Sequence, residues 1–65
     1  MMRLIEPQSL KEGMTIAFST WHYTRPVRGR VLAIEPWASH PVKIQSPVFG
    51  IARFKQTEFL SLEAA

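Results

Sequence analysis

Apolar and polar residues alternate along this chain in short runs with a period of two, the signature of half-buried strands. Met14, Ile16 and Phe18 share one face of a first strand candidate, Met14-Thr15-Ile16-Ala17-Phe18. Val27 to Ile34 forms a second, longer candidate that is apolar on both faces in its second half. Val27, Val31 and Ala33 point one way; Arg28, Arg30, Leu32 and Ile34 point the other. A strand that changes its buried face bends, and Gly29 is the expected place for the bend. Val42-Lys43-Ile44-Gln45 gives a third candidate and Ile51-Ala52-Arg53-Phe54-Lys55 a fourth, after a tight turn through Pro47 and Gly50. Lys55-Gln56-Thr57-Glu58 reads as a single-turn link to a last strand, Phe59-Leu60-Ser61-Leu62. Before the first strand, Ser9-Leu10-Lys11-Glu12 matches a capping box cut short by Gly13, so one turn with Leu10 inward is expected. No window carries the apolar stripe of a ten-residue helix.

Five short strands, a long bent second one and a single-turn link before the fifth resemble the SH3-like small barrel of KOW, Tudor and SH3 type. The resemblance runs from about Leu10 to Leu62. It rests on Leu10-x-x-Gly13-Met14-x-Ile16, Gly29-x-Val31-x-x-Ile34, Pro41-Val42-x-Ile44, Arg53-Phe54 and Glu58-Phe59-x-x-Leu62. It implies an all-β fold, one five-stranded barrel with Met14, Ile16, Val31, Ile44, Phe54 and Phe59 in a common core. Closure suits so small a chain because it removes exposed strand edges. The alternative is an open meander that completes its core as a homo-oligomer.

Length and composition narrow the function classes. Sixty-five residues make a single domain, 1–65, which buries only roughly 60% of its unfolded surface. With 46% hydrophobic and 20% charged residues the chain is globular in composition. It has no Cys, which removes disulfides, thiolate metal sites and cysteine nucleophiles, and fits a reducing, cytoplasmic setting. It also has no Asp and no Asn, so a triad with Asp and an Asp-rich calcium loop are excluded. The longest apolar stretches, such as Val31-Leu32-Ala33-Ile34, fall far short of the ~20 residues that cross a membrane. The residues before Pro7 lack the apolar stretch of a signal peptide.

Charge changes the picture most. The formal net charge is +3, and between Gly13 and Thr57 six basic residues face one acid, Glu35. A basic centre favours nucleic acid or another polyanion as partner. Two loops add aromatic rings to that charge. Ser19 to Pro26 holds Trp21, His22, Tyr23 and Arg25; Glu35 to Pro41 holds Trp37 and His40. In the resembled barrels these two connections flank one binding face. Trp21, Tyr23 and Trp37 would then stack against bases, and Arg25, Arg28 and Arg30 would contact phosphates. Arg28 and Arg30 share one strand face, as do Arg53 and Lys55, so the pairs form a stripe if they lie on the same side.

Neither histidine has the Cys or Asp neighbours that a metal site needs, so no metal or cofactor is expected. Ser39-His40 lacks an orienting acid, and a domain this size offers no enclosing cleft, so no catalysis is expected. The leading expectation is a non-enzymatic nucleic-acid or anionic-nucleotide binding module acting through Trp21, His22, Tyr23, Arg25, Arg28, Arg30, Trp37, His40, Arg53 and Lys55. The rival is a protein-interaction module, an accessory subunit or small phage-type inhibitor, that uses the same face.

Overall fold

A computed structural model describes residues 3–65. Its strands are β1 (Arg3–Leu4), β2 (Thr15–Thr20), β3 (Val27–Ile34), β4 (Val42–Ser46), β5 (Gly50–Phe54) and β6 (Phe59–Ala64). One-turn 3-10 segments, Pro7–Ser9 and Gln56–Glu58, follow β1 and β5. All strands join one antiparallel sheet in the order β1-β6-β2-β3-β4-β5. The all-β expectation and its five strands hold, with the two-residue β1 added at the edge. The closed barrel is not reached: among the described residues no backbone ladder joins β5 to the β1 side, and the sheet is open.

Side chains bridge what the ladder leaves apart. Phe18, at the centre of β2, lies edge-on to Phe54 of β5 at 5.5 Å, to Phe59 of β6 at 5.6 Å and to Phe49 at 6.1 Å. The two ends of the sheet therefore fold toward each other over a shared aromatic cluster. Each such pair adds about 0.5–1.5 kcal/mol beyond area burial. Leu10, Ile16, Val31, Val42, Ile44 and Leu62 complete the buried core. Ile16, Val31, Ile44 and Phe54 are thus buried as expected, while Met14 and Phe59 pack against the cluster only partly buried.

The face change in β3 is real, but it does not occur at Gly29. Register slips between Val31 and Ala33, so Leu32 is the extra residue and both Val31 and Ile34 reach the core side. Gly29 has another role. A Cβ there would meet Ile44 Cγ2 at 2.5 Å and Phe18 Cε1 at 3.2 Å, so its bare backbone is what lets both side chains close over β3.

Other boundaries move for local reasons. β2 runs two residues past Phe18 because Ser19 and Thr20 pair with β6 and are buried there. The first turn begins at Pro7 with no side-chain cap, so the Ser9–Glu12 capping box does not form, although Leu10 is buried as expected. Gly50, at φ 80°, supplies the left-handed residue that closes the three-residue hairpin Pro47-Val48-Phe49. Lys55 falls outside β5 and opens the Gln56–Glu58 turn.

Candidate functional site

The first loop is tied down at both ends. Thr20 is fully buried, and its Oγ1 accepts the backbone N–H groups of His22 and Tyr23, each at 3.2 Å. The Thr20 N–H donates in turn to the Tyr23 carbonyl at 2.8 Å. A Thr at a strand end folding its hydroxyl over the next residues is a side-chain-closed turn. Tyr23 fixes the far side: its ring lies 5.1 Å from Phe49 and packs against the core. Between these anchors Trp21 stands 75% exposed, with His22 and Arg25 exposed beside it.

Arg28 and Arg30 project from the outer face of β3, the side away from Ile16 and Val31. Register sets their neighbours. Thr15, Arg30 and Gln45 face one another across three strands, and Arg28 sits opposite Ala17. This surface forms a shallow groove of about 440 Å³ lined by Thr15, Arg28, Gly29, Arg30, Gln45, Ser46 and Pro47. Ser46 fixes one wall by donating its hydroxyl to the Arg28 carbonyl at 2.6 Å. Among the described residues neither arginine forms an ion pair. The nearest carboxylate in register on that face is Glu63 of β6, one strand beyond Ala17.

The second loop is tied differently. Glu35 donates its N–H to the Pro41 carbonyl, and Ala38 donates to the Glu35 carbonyl, both at 2.9 Å. Pro36 and Trp37 are the middle residues of that turn, and Trp37 is 81% exposed. The Glu35 carboxylate pairs with Arg53 on β5. His40 lies 3.7 Å from Glu58, whose carboxylate also accepts the Lys55 N–H at 3.2 Å.

The two loops meet the same short segment. Thr20 pairs with Phe59, and the residue before it, Glu58, reaches His40. Thr20 and His40, neighbours in the chain of Trp21 and Trp37, therefore both meet the end of the Gln56–Glu58 turn, and neither indole is near another ring among the described residues. Arg25, Arg28 and Arg30 lie on the Trp21 side. Arg53 is on the outer face of β5, directly across from Lys43, but it is engaged by Glu35. Lys55 is exposed at the start of the turn.

Sequence reasoning passed over Thr20, Thr15 and Gln45. The signal for Thr20 was a hydroxyl residue at the boundary between a periodic run and a polar loop. Thr15 and Gln45 were visible only as the polar members of two alternating strands. No helix among the described residues is long and apolar enough to cross a membrane, and no three of His, Cys, Asp or Glu cluster among them. Comparison of the chain with protein-family models, curated proteins and solved structures found no match.

Proposed function

We propose that this chain is a small, non-catalytic module that binds nucleic acid through Trp21, Arg25, Arg28 and Arg30. One observation carries the reading. An indole held out on a hydrogen-bonded turn contributes little to the core, and it stands at the head of arginines that form no ion pair among the described residues. Large rings left on loops favour contact with a ligand, and an indole beside guanidinium groups suits a base and its phosphates. An SH3-like architecture belongs to the same proposal. The order β6-β2-β3-β4-β5, the 3-10 turn before β6 and the ring contacts between β2 and β5 support it.

Salt dependence tests the function. Binding of labelled oligonucleotides should fall steeply between low and moderate salt, and Arg28→Ala and Arg30→Ala should each flatten the log–log slope by about 0.7–1. A protein partner is the second reading, favoured by Val48 and Ile51, which stay exposed on the β4–β5 hairpin beside the groove. It expects no saturable oligonucleotide binding even at low salt, and that result would overturn the nucleic-acid reading.

A further inference from the structure

Resting on that proposed function, the geometry points to a single strand as the ligand, laid along β3 over about four nucleotides. Arg28 and Arg30 are two residues apart on one strand face, about 6.6 Å by strand rise. That is close to one phosphate-to-phosphate step of an extended polynucleotide. Thr15 is the register partner of Arg30, and Trp21 lies six positions further along the chain. At the same rise this is about 20 Å, or roughly three steps.

The track has a beginning and an end. The Thr15, Arg30 and Gln45 row stands at one end, and the turn carrying Trp21 lies beyond Arg28 at the other, with Pro47 bordering the groove at the level of Arg28. Along it, Thr15 and Gln45 flank Arg30 and offer a hydroxyl and an amide to whatever the guanidinium groups hold. Arg25 lies in the loop between the indole and Arg28. A duplex keeps its bases stacked inside, so the face of Trp21 has no free base to meet. An unpaired base can lie on it. Four nucleotides is also the low end of the ~4–16 that small single-strand-binding folds cover.

The probes are oligodeoxythymidines and oligouridylates of two, four, six and eight nucleotides. The protein carries Trp37→Phe, which leaves Trp21 as its only tryptophan. Affinity should rise at least tenfold from two to four nucleotides and less than about threefold from four to eight, with Trp21 fluorescence quenched on saturation. Adding Trp21→Phe should weaken the four-nucleotide complex while leaving binding of inorganic polyphosphate unchanged. Three results would overturn the inference while leaving an anion-binding face in place. One is a duplex binding as tightly as the single strand. The others are affinity climbing steadily to eight nucleotides, and saturation without any change in Trp21 emission. No binding of any oligonucleotide at low salt would remove both the inference and the function it rests on.

Discussion

The two aromatic loops are built from similar parts, a tryptophan and a histidine each with proline beside them, and they end in opposite electrostatic settings. In the loop after β2, every tie is a neutral hydrogen bond made by Thr20 or an apolar contact made by Tyr23. Among the described residues its nearby arginines form no ion pair. In the loop after β3, carboxylates sit at both ends of the contact network: Glu35 takes Arg53 and Glu58 faces His40. Both indoles are exposed to a similar degree, so exposure alone does not separate them. What separates them is the charge each can bring to a ligand. An anion approaching Trp37 meets the Glu35–Arg53 pair and the Glu58 carboxylate, whereas one approaching Trp21 meets guanidinium groups that form no ion pair among the described residues.

The largest expected effect removes the base that both loops share. Phe54 touches Phe18, Phe49 and Phe59, so Phe54→Ala should cost about 3–5 kcal/mol, a large part of a small domain's stability. Thermal unfolding should show the domain unfolded or nearly so. A cooperative transition at close to the normal temperature would contradict the aromatic bridge between the ends of the sheet.

Next come the anchors of the first loop alone. Tyr23→Ala removes a partly buried ring from Phe49 and should cost about 1–3 kcal/mol in denaturant unfolding. Trp21→Ala, two residues away, should change stability by less than about 0.5 kcal/mol. Equal losses from the two would erase the division of labour between them. Thr20→Val keeps the shape but leaves two N–H groups without the hydroxyl, for a loss of about 1 kcal/mol. Hydrogen exchange at His22 and Tyr23 should quicken in that variant, and unchanged protection there would show that the turn is held by something else.

Much of the fold was legible because burial follows alternation. Ile16 and Phe18, and Val42 and Ile44, declare their faces by their spacing of two, and Pro36 and Pro47 mark where β3 and β4 stop. The misses have particular causes. Val31-Leu32-Ala33-Ile34 is apolar throughout, so it signals a change of face without saying where the extra residue lies. Ser19 and Thr20 read as loop because they are polar, yet Ser19 Oγ meets Ser61 Oγ at 2.6 Å across the sheet and both β2 residues are buried. β1 is two residues long and exists only through its pairing with β6, which no local pattern records. Within the site, the basic character and the aromatic loops could be read directly. Which ring turns inward could not: Trp21 and Tyr23 share a loop, and only the position of Phe49, far along the chain, draws Tyr23 to the core. The pairing of Arg53 with Glu35 was hidden for the same reason.

The difference between the loops comes down to which tryptophan matters. The direct measurement is a titration of a labelled single-stranded oligonucleotide at low salt into the wild type, Trp21→Ala and Trp37→Ala. Trp21→Ala should weaken binding by about 1–3 kcal/mol, roughly 5- to 150-fold, because it removes the stacking surface beside the arginines. Trp37→Ala should stay within about threefold of the wild type, a fraction of one stacking contact. Equal losses from both variants, or a larger loss from Trp37→Ala, would contradict the assignment of binding to the Trp21 side.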